Sequence, residues 1–154
     1  LPEKLWVSGI RRYGFHGLSC ESILHALGEN IPPRLIIAHL GNGASITAVA
    51  KGQSIDTSMG LTPTGGIIMG TRPGDLDPGL LVYILQTHKD DSTHRVYELA
   101  RLLDKQCGLL GISGLSSDMR QLREAAAKNP QAKLAIEMFT RTAKKVIAGY
   151  VALL

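Results

Sequence analysis

The stretch that most limits how this chain can fold is residues 35–60, LIIAHLGNGASITAVAKGQSIDTSMG. Leu35, Ile36 and Ile37 form a β-rich run that ends at His39. Gly41-Asn42-Gly43 is the strongest turn signal in the chain, because Gly and Asn tolerate positive φ. Ile46, Ala48 and the Thr47/Val49 pair suit a second strand, Lys51-Gly52 turns the chain again, and Ser54 to Thr57 open a third. Two readings of the first turn stand side by side. One is an ordinary hairpin with a polar tip. The other is an anion site, since a glycine-lined turn bares backbone N–H groups, with His39 and Asn42 adding side-chain donors. The spacing is not that of the phosphate loop of nucleotide triphosphatases.

The 154 residues are enough for one domain with its own core. At 44% hydrophobic and 19% charged the chain is globular in composition. The net charge of +4 is mild, and no Lys/Arg block is long enough for a nucleic-acid track. A weakly basic site for small anions fits instead. Cys20 and Cys107 lack metal or redox spacing and read as cytosolic thiols, so a cytoplasmic protein is expected. No apolar run reaches bilayer length and no basic-then-apolar leader is present, which argues against a membrane partner. Leu1 is an unusual start and the chain ends within the apolar run AGYVALL. A piece of a larger protein is the expectation.

Around the hairpins, residues 1–10 read as extended or irregular, with Trp6 and Val7 as packing groups. RRYGFHG at 11–17 compresses two arginines, two aromatics and His16 between bend-forming glycines. His16 is either a core histidine held by a carbonyl or, beside Arg11 and Arg12, an anion contact. Ser19 is expected to cap a helix over 20–28. Residues 58–79 hold six glycines and three prolines, too many for regular structure, yet Met59, Leu61, Ile67, Ile68 and Met69 argue for an ordered loop. Within it Arg72 is the residue type suited to gripping phosphate or carboxylate. Asp77 precedes Pro78 and reads as the cap of a helix over 78–88, while Asp75 is left between a water-linked metal and an arginine partner. Asp90 to Thr93 reads as a surface turn, with Ser92 or Thr93 capping a helix over 94–106. Leu109 to Ile112 reads as an apolar link. Ser116 or Ser117 would cap the next helix, whose first turn holds Asp118 and Arg120 and offers free N–H groups. Residues 130–154 form one long amphipathic helix with the stripe Ala135, Phe139, Thr142, Val146 and Tyr150, widened by Leu134, Met138 and Ile147. Its lysines and Arg141 read as a solvated face. No strand follows that helix, so the sheet is expected to be incomplete.

Five segments in order resemble acetate kinases: RRYGFHG at 11–17, HLGNGASITAV at 39–49, DTSMGLTP at 56–63, MGTRPGDLDPG at 69–79 and GISGLSSDMR at 111–120. The resemblance covers essentially the whole chain but only the central segment of the family protein. It implies an α/β fold, part of an actin/Hsp70/sugar-kinase-like (ribonuclease H-like) domain, with a three-stranded antiparallel start followed by helices. It implies an interdomain segment and the helix leading into the next unit over 1–34, and part of the carboxy-terminal nucleotide-binding domain over 35–154.

The implied activity is reversible transfer of the γ-phosphoryl of ATP to acetate, giving acetyl phosphate and ADP, with Mg2+. By resemblance, His16 and Arg72 stabilise the migrating phosphoryl group and Arg72 helps to position acetate. His39, Gly41, Asn42 and Gly43 lie by the nucleotide phosphates, and Asp118, Met119 and Arg120 by adenosine. No metal ligand is assigned within the chain. In-line transfer to a carboxylate needs positioning and aimed donors, not a covalent intermediate or a strong base. The sequence departs from the family at Leu18-Ser19-Cys20, where Thr-Ser-His is usual, near Gly65, where a glutamate is usual, and at Pro73, where a serine is usual. Absent from it are the family's amino-terminal phosphate loop, an earlier arginine and aspartate, a later glycine-rich nucleotide loop and a magnesium-linked glutamate. The chain alone is therefore expected to be inactive. A homodimeric parent is implied. The competing readings are a propionate kinase, a non-catalytic nucleotide-binding module and a structural dimerisation fragment.

Overall fold

The computed structural model describes residues 1–87 and 91–154. At its centre is a three-stranded antiparallel sheet in the order β1-β2-β3, made of β1 (Arg34–Leu40), β2 (Ala44–Ala50) and β3 (Gln53–Thr57). All three expected strands are present. The β2–β3 turn places Lys51 at φ 50° and Gly52 at φ 78°, the two positive values of the tight turn that matches strand twist. The first turn works differently. Gly41, Asn42 and Gly43 stay out of the left-handed region, and glycine is needed there for close approach.

Strand alternation divides β2 between two tasks. Ala44, Ile46 and Ala48 face a core with Met59, Ile67, Met69 and Tyr150, closed by Phe139, Ala143 and Val146 of the last helix. Ser45, Thr47 and Val49 face the other way, and Ser45 and Thr47 meet the 16–20 segment. In register, His39 stands directly opposite Ser45.

Helix α1 (Glu3–Val7) replaces the irregular start expected from the sequence. Trp6 and Val7 are exposed rather than packed, and Trp6 carries the Arg11 guanidinium over its ring at 5.0 Å. Helix α2 (Gly17–Leu27) begins two residues before Ser19, which therefore caps nothing. Its N-cap is His16, held at φ 64°, ψ 24° with no side-chain cap bond.

The 58–79 loop is ordered around buried Met59, Ile67, Ile68 and Met69, while Leu61 is exposed and anchors nothing. Among the described residues Asp75 forms no ion pair with an arginine. Its Oδ1 accepts the Gly66 N–H at 2.7 Å and its own N–H returns to the Gly66 carbonyl, which closes the loop on itself. Helix α3 (Pro78–Thr87) opens as expected, with Asp77 accepting the Gly79 N–H. Residue 88, the expected helix end, and Asp90 lie outside the described residues. Helix α4 (Ser92–Lys105) is capped by Asp91, not by Ser92 or Thr93, because the aspartate reaches both Thr93 N and His94 N.

The expected apolar link is helix α5 (Gly108–Ser113). Its leading amides, which a helix cannot satisfy internally, are taken by the loop: Leu109 N donates to Met69 O and Leu110 N to Gly70 O. Helix α6 (Met119–Ala125) is capped by Asp118 rather than Ser116 or Ser117. Helix α7 (Pro130–Leu153) follows an Asn129 cap and Pro130 at its first turn. The Ala135-to-Tyr150 stripe faces the cores, with Ala132 and Ile136 beside it. Leu134, Met138 and Ile147 lie at its margins and stay exposed. Leu109 and Leu122 with Ala132 and Ala135 form a second core under α5 and α6. Among the described residues no helix is long and apolar enough to cross a membrane.

Candidate active site

The non-core face of the hairpin carries the site. His16 leaves the chain in a left-handed conformation, a backbone geometry that is uncommon outside glycine and tends to mark constrained positions. Its imidazole stacks on that of His39, with centroids 4.0 Å apart and planes 16° from parallel. Each ring is held at Nδ1 by a serine of the opposite element. His16 meets Ser45 Oγ of β2 at 2.9 Å, and His39 of β1 meets Ser19 Oγ of α2 at 3.0 Å. The two bonds cross, so they fasten α2 to the sheet through the stack.

The second expected residue, Arg72, comes from the glycine-rich loop. Its Nη1 donates to the Pro63 carbonyl at 3.0 Å and lies 3.8 Å from Met69 Sδ. Arg72 and His16 converge on Gly43: a Cβ there would lie 3.2 Å from Arg72 Nη1 and 3.4 Å from His16 Nε2. A side chain at Gly43 would press on the Arg72 guanidinium and touch the His16 ring. Burial, then the neighbouring His39 and Arg72, lower the His16 pKa from its ordinary value, which favours a neutral imidazole. A guanidinium and an imidazole whose neutral form is favoured thus approach one point, a pairing suited to an anion.

Next to this pair, the hairpin tip opens a cleft of about 500 Å3. Gly41 and Asn42 line it from the tip, Asp118, Met119 and Arg120 from the start of α6, and Leu109 and Phe139 give it apolar surface. Segments some 80 residues apart in sequence, both expected at one nucleotide, thus share one wall-to-wall space. Asn42 is tied to its other side by Gly70, whose N–H donates to the Asn42 carbonyl and whose missing side chain leaves room for the Asn42 amide. The α6 start does not offer a free amide at Arg120, because the Asp118 carboxylate takes that N–H at 2.7 Å. Arg120 itself is exposed and, among the described residues, makes a long ion pair to Asp118 at 3.8 Å. Among the described residues no group of three His, Cys, Asp or Glu side chains converges as a metal site.

The two arginines beside His16 in the sequence have partners elsewhere in the fold. Arg12 donates to the carbonyls of Thr57 and Met59 and pairs with Asp56, which fixes the 11–17 segment to the end of β3, and Arg11 rests on Trp6. Ser45 was not singled out in the sequence, and Ser19 was read there only as a helix cap. Strand alternation would have found Ser45, since it shares the His39 face, but only the packing of α2 pairs Ser19 with His39.

A family model described as the acetokinase family matches residues 1–154. Among curated relatives, acetate kinase of a Geobacillus species is 51% identical over 99% of this chain and 39% of its own length. Acetate kinase of Brachyspira hyodysenteriae is 50% identical over 94% of this chain and 36% of its own length. Among solved structures, Porphyromonas gingivalis acetate kinase superposes with TM-score 0.86 at 38% identity, over 99% of this chain and 39% of that one. A propionate kinase from Francisella tularensis superposes with TM-score 0.87 at 43% identity, over 100% of this chain and 40% of that one. The chain thus spans about two fifths of the length of such relatives. Matched from its first residue to its last, and sharing the hairpin-then-helices architecture of the solved kinases, the chain belongs to the acetokinase family.

Proposed function

We propose that this chain carries the phosphoryl-handling part of a kinase that moves the γ-phosphoryl of ATP to a short carboxylate, acetate in the first instance. The observation that carries this reading is the meeting of His16 and Arg72 over Gly43, beside the cleft bounded by Asn42 and Asp118. In such a transfer an acceptor oxygen bonds to the γ-phosphorus as the bond to the β-phosphate bridging oxygen breaks, and ADP leaves. Nucleophile and phosphoryl group are both anions, so the main barrier is repulsion plus misalignment. Arg72 supplies fixed positive charge, and its guanidinium donors other than Nη1 have no protein partner among the described residues. His16 supplies a neutral donor at Nε2. His39 backs the His16 ring, and Gly41, Asn42 and Gly43 line the path from the nucleotide cleft to the transfer point.

Residues 35–154 then form part of a nucleotide-binding domain, with 1–34 leading into it. The cleft fits a nucleotide: apolar surface for a base, polar hairpin for its phosphates. Magnesium would offset phosphate charge when bound, although among the described residues no group of three His, Cys, Asp or Glu side chains converges to hold it.

The test is Arg72→Ala in a protein carrying this chain within a complete acetokinase. Removing one transition-state donor is expected to lower kcat by about 10^2–10^3 while the KM for ATP stays within about twofold. An unchanged kcat would remove Arg72 from the mechanism. Acetate and propionate compared by kcat/KM assign the acceptor, a choice that one methylene sets by only about 10–200-fold.

A further inference from the structure

We propose that Ser45 is a positioning residue for His16: its hydroxyl donates to Nδ1 and so fixes the proton of the neutral ring on Nε2, the atom facing Gly43 and Arg72. The inference rests on the proposed phosphoryl-transfer site and assigns Ser45 a part in it.

The argument begins with the proton count. Ser45 is fully buried, and its Oγ has one hydrogen-bond partner among the described residues, His16 Nδ1 at 2.9 Å. A buried hydroxyl has one hydrogen to place. If Nδ1 carried the ring proton and donated, the Ser45 hydrogen would have no acceptor, and a buried donor left unmade is the more expensive arrangement. Donation by Ser45 satisfies both groups. It leaves Nδ1 unprotonated and Nε2 as the donor.

Geometry then makes that choice matter. Nε2 is the ring atom that would lie 3.4 Å from a Cβ on Gly43, on the side where Arg72 Nη1 also arrives. The opposite tautomer would present a lone pair there, which repels a phosphoryl oxygen. Ring rotation is opposed by the His39 stack on one face and by the Ser45 bond at Nδ1. The groups facing His16 are Ser45 from β2, His39 from β1 and Arg72 from the loop. Burial and the two cationic or cation-forming neighbours all favour a neutral ring, the state in which a tautomer has to be chosen.

The test uses the 15N-labelled protein and the ring-nitrogen shifts of His16 at a pH where the imidazole is neutral. Wild type is expected to show an unprotonated, hydrogen-bonded Nδ1 and a protonated Nε2. Ser45→Ala is expected to shift Nδ1 towards the value of a non-bonded ring and to let the second tautomer appear. Ser45→Thr, which keeps a hydroxyl, is expected to retain the wild-type pattern, and together with the wild-type spectrum it decides the matter should the alanine variant not fold. In a complete kinase, Ser45→Ala should lower kcat about 10–100-fold, the range for losing a partner that orients an active group, with the KM for ATP within about twofold. A wild-type His16 protonated on Nδ1, or an alanine variant with an unchanged ring spectrum, overturns the proposal. The ring spectrum is read without turnover, so failure of the kinase reading and failure of the Ser45 assignment are seen separately.

Discussion

Gly108→Ala tests the way α5 is seated beneath the Arg72 loop. Gly108 lies at φ 64°, and a Cβ added there would stand 2.2 Å from Met69 O, 2.7 Å from Arg72 O and 2.8 Å from Arg72 N. All three are backbone atoms and cannot rotate aside. Gly114 supplies the control, at φ 61° with open space around its would-be Cβ. Both substitutions carry the left-handed penalty of about 1–2 kcal/mol. Only Gly108→Ala adds overpacking of about 1–3 kcal/mol. It also strains the bonds from Leu109 N to Met69 O and Leu110 N to Gly70 O, each worth about 1 kcal/mol when lost. Together the two variants should differ by about 2–4 kcal/mol. Equilibrium urea unfolding reads this as a midpoint lower by about 1–2 M for Gly108→Ala than for Gly114→Ala, at a slope near 2 kcal/mol/M. Midpoints agreeing within about 0.3 M would refute the reasoning, because the backbone contact would then carry no energy.

Two further outcomes follow from the same geometry. His16 has a folded pKa below its ordinary 6.5, so above about pH 6.5 both states are neutral and no stability is lost; as pH falls, the unfolded chain takes the proton first and stability declines until the folded ring also titrates. His16→Gln should therefore flatten the acid side of the urea-midpoint profile below that pH, and an unchanged slope counts against the buried neutral ring. Asn129→Ala removes the acceptor for Gln131 N and Ala132 N at the start of α7 and should lower unfolding stability by about 1 kcal/mol, with Asn129→Asp close to wild type.

Local sequence sufficed for the strands, the place of both turns and the long last helix, though the first turn does not use the positive φ that its glycines and Asn42 allow. These are local matters: alternating or β-branched runs, Asn and Gly at turns, a 3.6-residue apolar stripe, and Pro130 where a helix lacks a use for its amide. It also marked His16, Arg72, Asn42 and Asp118 through their motifs, though their roles came only with the family resemblance. What it misassigned depends on partners distant in the chain. Ser19 has the right side chain and place for a cap, yet His39 claims it across the α2–β1 contact. Leu109 to Ile112 is too short to declare a helix alone, and it becomes one because carbonyls 40 residues earlier accept its amides. Arg11 and Arg12 sit beside His16 in sequence, but the Thr57 carbonyl takes the Arg12 guanidinium and the Trp6 ring that of Arg11. Only the tertiary structure set two histidine rings face to face and brought a loop arginine to Gly43. Local preference fixes where a chain turns. The meeting of distant side chains is fixed by which faces the packed elements have left for them.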